Sequence, residues 1–377
     1  MIIKNGIVFC DNGEFRNLDI EVKNGIITAI GEKITDSAAE VIYAQGDYII
    51  PGFVDIHTHG AMGADFSDGT TDAVETIAKY LLSNGITSFL GTTMSLPESK
   101  LIEICETYNP LVKSEISGQA IMRGIHLEGP YFSHERRGAQ NPEYLVNPGM
   151  TMFTRMNEAS GDAVRLIAVA PELEGAMEFI EAVSKICTAS VAHSAAGYET
   201  SMRAFSHGSN HVTHMFNGMN LFNHREPGII GAAFDSGVYV ELIADGIHIH
   251  PAMVRSVFKL FDEDKICLIS DSIRACGLSD GEYELGGQTI TVAGKTASIA
   301  KDTLAGSVTC LADCMRNAVE FGIPLKKALK AATINPAKSV GLDNKVGSLT
   351  IGKRADILVL NQELELKQTI FNGKSTN

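Results

Sequence analysis

The chain has 377 residues, of which 45% are hydrophobic and 20% charged, the balance of a folded globular protein long enough for one large domain with a smaller companion. A formal net charge of −14 argues against a nucleic-acid partner, which needs clustered Lys and Arg, yet leaves room for a phosphorylated small molecule met by one local Arg. No apolar stretch approaches the roughly 20 residues that span a bilayer, so no membrane partner is expected. The start, Met1-Ile2-Ile3-Lys4-Asn5-Gly6, turns polar too soon for a signal peptide. The seven Cys lack paired spacing and sit largely in apolar surroundings, as at Cys105, Cys187 and Cys267. Reduced buried thiols and a cytoplasmic location follow as expectations.

Residues 1–50 read as short strands and hairpins, with Asn12-Gly13 and Asn24-Gly25 as turn dipeptides. The tail, 346–377, has the same character. The two ends are therefore expected to build one small β-sandwich around a different middle. That middle, 51–345, alternates short apolar runs with helical patterns. The eight short apolar runs are 52–57, 87–90, 124–127, 166–169, 190–193, 211–214, 238–243 and 266–270, read as parallel strands buried on both faces. Helices are predicted between them, among others over Thr71–Ser83, Leu173–Cys187 and Pro251–Asp262. Eight such units fit an α/β fold of the (β/α)8 TIM-barrel type. The alternative, a doubly wound open sheet, lacks a GxGxxG opening a helix after the first strand. A Gly-rich stretch, 280–303, reads as a hairpin inserted after the eighth strand.

Polar residues gather at the ends of these runs. His57 and His59 lie two apart at the end of the first, so an extended backbone sends both imidazoles to one side. Taken alone, the pair also suits two surface histidines in a turn. Glu128 ends the third run, His193 the fifth, His214 the sixth and Asp271 the eighth. Singly these read as a loop or cap carboxylate, two satisfied pocket histidines and a helix cap. Jointly they suit a divalent-metal hydrolase, with imidazole and carboxylate ligands for Zn or a first-row relative such as Fe, Co or Mn. Asp271, not needed as a ligand of a first metal, is placed to carry a proton from water to a leaving amine.

The run Pro51-Gly52-Phe53-Val54-Asp55-Ile56-His57-Thr58-His59-Gly60 resembles the opening signature of the amidohydrolase superfamily. More specifically, five segments resemble the N-acetylglucosamine-6-phosphate deacetylase family: His126-Leu127-Glu128-Gly129-Pro130-Tyr131, Thr213-His214-Met215-Phe216-Asn217-Gly218-Met219, Ala244-Asp245-Gly246-Ile247-His248, Ser270-Asp271-Ser272 and Leu304-Ala305-Gly306-Ser307. The similarity covers essentially the whole chain. It implies hydrolysis of the acetamide of a sugar phosphate to an amine and acetate, in amino-sugar catabolism and cell-wall recycling. It also implies metal ligation by Glu128, His193 and His214, Asp271 as general base and acid, and a homodimer. The implied substrate contacts are Ala139, Gln140, Asn217, Gly218, Arg225, His248, Leu304, Ala305 and Gly306. Some members have His at the position of Gln140, and others lack the His57/His59 pair, which here opens a place for a second metal with Glu128 bridging. Zn or Fe is the expected metal, with Co, Mn, Ni or Cd as substitutes. A dihydroorotase- or hydantoinase-type amidase is the runner-up, but the fourth run offers no Lys to carboxylate. A catalytically dead sugar-phosphate sensor would have lost ligands that this chain keeps.

Overall fold

The computed structural model describes residues 1–35, 40–112, 114–299 and 303–376. Its centre is a parallel sheet of eight strands in chain order: Phe53–Thr58, Ile86–Thr93, Ile121–Leu127, Val164–Val169, Thr188–Val191, His211–Val212, Tyr239–Ile243 and Ile266–Ile269. Helices alternate with them on the outside, as short connections between parallel neighbours require. The first and eighth strands are joined near their C-terminal ends. There Asp271 N donates to His57 O at 2.9 Å, His59 N donates to Ser272 O at 2.7 Å, and Thr58 bridges Ser272. Below them Ser270 Oγ donates to Asp55 Oδ2 at 2.6 Å. Burial pushes the Asp55 carboxyl up to about 6 even though Ser270 and the His57 N–H favour its ionised form. The seam of the barrel is thus polar, and two of the candidate site residues, His57 and Asp271, are part of it.

The helix predicted over Thr71–Ser83 forms with those bounds, capped by Thr70, whose Oγ1 accepts from Ala73 N. It buries Ala73, Val74, Ile77, Ala78, Leu81 and Leu82, an i, i+3, i+4 stripe. The next two are shorter than predicted. Gly175 takes a left-handed backbone (φ 77°) and delays one helix to Ala176–Val183, while Phe261 turns extended and ends the other at Leu260. Strands five and six also stop early, at Val191 and Val212, because His193 and His214 leave the β region.

The chain ends form one continuous eight-stranded sheet with an apolar core of its own, built from Ile3, Val8, Ile20, Ile27, Ile49, Ile357 and Ile370 among others. The sandwich expected from the sequence is, in hydrogen-bonding terms, a single sheet in which Ile2–Phe9 pairs antiparallel with Phe15–Lys23 and parallel with both Val41–Tyr43 and Tyr48–Pro51. Asn24-Gly25 makes the expected two-residue hairpin, both residues at positive φ. The insertion is larger than one hairpin. Gly281–Leu285, Gln288–Ala293, Thr296–Ile299 and Thr303–Leu304 form a four-stranded antiparallel sheet, and residues 300–302 of the expected insertion lie outside the described ones. Its Leu285, Ile290 and Val292 pack on Met94, Ile273 and Ala305, which holds the sheet against the C-terminal mouth of the barrel.

Gly52 is the single residue between the terminal sheet and the first barrel strand, with its N–H on Asp356 O. A Cβ there would collide with the Thr87 side chain. Gly52→Ala is therefore expected to destabilise by about 1–3 kcal/mol, the usual cost of overpacking. Denaturant unfolding of the two proteins measures this, and an unchanged midpoint would mean that the junction has slack.

Candidate metal centre

The six strand-end residues singled out in the sequence meet at one point. Glu128 Oε1 lies 3.2 Å from His193 Nε2 and 3.0 Å from His214 Nε2, and those two nitrogens are 3.1 Å apart. On the other side, His59 Nε2 lies 3.3 Å from Glu128 Oε2, His57 Nε2 lies 3.6 Å from Oε1, and the two Nε2 atoms are 3.3 Å apart. Two three-residue clusters, His57–His59–Glu128 and Glu128–His193–His214, therefore share one carboxylate. Asp271 Oδ1 stands 3.5 Å from His57 Nε2 and 3.3 Å from His59 Nε2. All six residues are buried.

Backbone geometry aims these side chains. His193 (φ 43°), His214 (φ 29°) and Asp271 (φ 48°) all adopt the left-handed region just past their strands. Such a conformation costs an ordinary residue about 1–3 kcal/mol and persists where the surroundings enforce it. Two glycines make room for the His193 ring: a Cβ on Gly218 would lie 2.8 Å from Nδ1, and one on Gly138 would lie 3.2 Å from Cε1.

The hydrogen bonds fix which nitrogens carry lone pairs. His193 Nδ1 faces the Arg136 carbonyl at 2.9 Å, which can only accept, so Nδ1 holds the proton and Nε2 offers a lone pair. His57 Nδ1 faces Glu241 Oε2 at 3.0 Å and follows the same logic. Lone pairs of nitrogen and oxygen thus converge on two points, a repulsive arrangement unless a cation sits among them. The donor set, imidazoles with a bridging carboxylate, suits Zn or a first-row relative. Protons compete with a cation for the same place. Burial disfavours the His57 imidazolium, but Asp271, Glu241 and Glu128 outweigh it and push the ring up to about 9. His59 is raised well above its ordinary value in the same way, burial being overcome by Asp271 and Glu128. Burial likewise opposes ionisation of Glu128, yet His193, His214 and His59 hold it well below the usual carboxylate range. Asp271 is also lowered against its burial, by His57 and His59.

Above this floor lies a cavity of about 350 Å³, lined by His59, Glu128, His193, His214 and Asp271 below and by Phe216, Ile273, Leu285 and Thr303 at its sides. Ala139, Gln140, Asn217, Gly218, His248, Leu304 and Gly306 line it as well. His57 lies beneath and is fully buried. Ala305 is buried behind the lining, its N–H on Ala297 O. Arg225 is exposed outside the cavity, on the loop that follows Gly218. Gln140 is turned inward: Nε2 donates to Glu128 Oε2 at 2.7 Å and Oε1 accepts from Ser95 N at 2.8 Å. In this position it holds the carboxylate rather than reaching into the open space. His248 Nδ1 is bound to Asp245 Oδ2 at 2.7 Å, and Asp245 raises the ring's pKa against its burial.

Sequence reasoning missed Glu241, His126 and His211. All are buried in the barrel, where an apolar run hides them and only the inward register of their strands could have flagged them.

A family model described as "Amidohydrolase family" matches residues 48–376. The chain belongs to the amidohydrolase family. Among curated amidohydrolase relatives, an N-acetylglucosamine-6-phosphate deacetylase of Bacillus subtilis is 33% identical over 99% of this chain and 96% of its own. An N-acetylgalactosamine-6-phosphate deacetylase of Escherichia coli O157:H7 is 32% identical, over 97% and 96%. Among solved structures, a mutant N-acetyl-D-glucosamine-6-phosphate deacetylase from Mycobacterium smegmatis, in complex with N-acetyl-D-glucosamine-6-phosphate, superposes with a TM-score of 0.93 at 30% identity. That match covers all of this chain and 98% of the other.

Gly218 (φ 62°) combines a left-handed backbone with contact to His193. Gly218→Ala in this amidohydrolase is expected to displace the His193 ring from Arg136 O and to weaken retention of divalent metal. Metal analysis after dialysis reads this, and full retention by a folded variant would show that the ring is held by other means.

Proposed function

We propose that this amidohydrolase is a metal-dependent deacetylase that hydrolyses N-acetylglucosamine 6-phosphate to glucosamine 6-phosphate and acetate. The observation that carries the reading is the Asp271 carboxylate oxygen standing within 3.5 Å of His57 and His59, in a group of four converging imidazoles, at the floor of a cavity of sugar size. Zn or Fe is the proposed metal, held by Glu128, His193 and His214, with His57 and His59 completing a second position on Glu128. When bound, a divalent cation supplies Lewis acidity, which eases ionisation of water near neutral pH and polarises a carbonyl. Asp271, whose Oδ1 stands 3.5 Å from His57 Nε2 and 3.3 Å from His59 Nε2, accepts the proton that water gives up. The water oxygen then bonds to the acetyl carbon, the carbon–nitrogen bond breaks, and Asp271 returns the proton to the departing amine. His248, whose pKa Asp245 raises against its burial through Nδ1, donates in its doubly protonated form from Nε2 to the acetyl oxygen as negative charge develops there. Gln140, by fixing Glu128, positions the shared ligand.

The cavity lining contains no Lys or Arg among the described residues. The sugar phosphate is assigned to Asn217, Gly218 and the neighbouring loop, whose Leu221 is 86% exposed and Phe222 47% exposed next to Arg225. Apolar side chains so placed suit a subunit interface, and we infer a homodimer in which this loop is covered and Arg225 meets the phosphate.

Two variants test these assignments. Asp271→Asn should retain metal and substrate while losing at least about 10²-fold in kcat, the low end for a positioned acid–base group. Near wild-type turnover would remove Asp271 from the mechanism. Arg225→Ala should lower kcat/KM for the phosphorylated sugar by about 10-fold or more, with little change for unphosphorylated N-acetylglucosamine. An unchanged ratio of the two substrates would place phosphate recognition elsewhere. Assays of acetate release that include N-acetylgalactosamine 6-phosphate distinguish the two sugar specificities found among the relatives.

A further inference from the structure

Glu241 lies in the seventh barrel strand and is fully buried, in an interior that barrels of this kind usually fill with branched apolar side chains. It takes no part in the chemistry described above and does not line the cavity. Its Oε2 accepts from two groups at once, His57 Nδ1 at 3.0 Å and the backbone N–H of His214 at 3.0 Å. The two clusters around Glu128 are therefore joined twice, above by Glu128 and below by Glu241. Among the described residues the remaining oxygen, Oε1, has no hydrogen-bond partner and stands 3.8 Å from His211 Nε2, which has none either. His211 is itself fastened by Nδ1 to Ser190 Oγ at 3.1 Å. On its other flank, His57 meets the His126 ring edge-on at 4.6 Å, and neither His126 nitrogen has a hydrogen-bond partner among the described residues. Among the described residues, Glu241 is thus the one acceptor that the His57 ring has away from the cation side. Without that acceptor, packing against neighbouring rings would remain, but no hydrogen bond among the described residues would keep the proton on Nδ1.

We propose that Glu241 is a positioning residue: it fixes His57 in the tautomer and orientation that let Nε2 act as a metal ligand, and so governs occupancy of the His57–His59 position. This rests on the reading of the two clusters as a divalent-metal centre. A carboxylate behind a ligating imidazole orients the ring and raises its basicity, and loss of such a partner typically costs 10–100-fold in metal affinity. The larger effect falls on the His57–His59 position, because Glu241 meets the His57 ring itself but only the backbone N–H of His214. The Glu128–His193–His214 cluster keeps its own orienting acceptor, since His193 is set by the Arg136 carbonyl.

The test is zinc binding to metal-stripped full-length protein, followed by competition with a chromophoric chelator and by counting metal per chain. Wild type should bind two zinc ions, and His57→Ala identifies which step belongs to His57. Glu241→Ala should weaken that step 10–100-fold and leave the other within about threefold. Glu241→Gln preserves shape and an acceptor oxygen but not the charge. It is expected to weaken the same step about 10-fold, and it decides the matter if the alanine variant does not fold. Lowered thermal stability with both zinc steps intact would overturn the proposal in favour of a purely structural role. Equal weakening of both steps would also overturn it, because the effect would not then act through His57. Wild type that binds fewer than two zinc ions would instead overturn the two-position reading on which the proposal rests.

Discussion

One carboxylate holds this site together. Glu128 ends the third barrel strand with both oxygens committed, Oε1 to His193 and His214 and Oε2 to His59 and Gln140. A buried carboxylate is tolerable only when its charge is met. Here the partners are imidazoles from the first, fifth and sixth strands, so the ring of strands must close before the charge is satisfied. The closure is itself polar, through Asp55, Ser270 and the exchange of backbone bonds between His57 and Asp271. Fold and site are consequently one problem: the contacts that complete the barrel also bring the sixth strand-end residue, Asp271, to the other five.

The cost of this arrangement is visible in the backbone and in the interior. His193, His214 and Asp271 all occupy the left-handed region, and glycines at 138 and 218 give way to a ring. Beneath them His57, His126, His211 and Glu241 occupy space that apolar side chains would fill more cheaply. Such concessions are expected where a constellation must be held within a fraction of an ångström of a working geometry.

Much of this could be read in the sequence, for a definite reason. The strand-end residues of the centre fall at the C-terminal edge of short apolar runs, and the edge is marked by the change to His, Glu or Asp. His57, His59, Glu128, His193, His214 and Asp271 could therefore be placed before any coordinates. Residues inside a run could not. Glu241 is flanked by Val240 and Leu242 and reads as one polar interruption of a buried strand, because facing is set by register against neighbours. Gln140 was legible as a site residue, but its partner was not, since an amide can serve a substrate or a carboxylate equally well. The terminal strands were recognised, whereas their joining into one sheet depends on the double pairing of Ile2–Phe9 with Val41–Tyr43 and Tyr48–Pro51. Arg225 looked like a phosphate ligand by resemblance, yet the isolated chain leaves it outside the cavity, which only the packing of its loop could reveal.

The central claim is that the six residues form one centre with two cation positions sharing Glu128. Anomalous diffraction at the zinc edge, from crystals of metal-loaded protein, tests it directly. The account predicts two peaks, one coordinated by Glu128, His193 and His214 and the other by His57, His59 and Glu128. Peaks elsewhere on the surface, with these imidazoles uncoordinated, would contradict it.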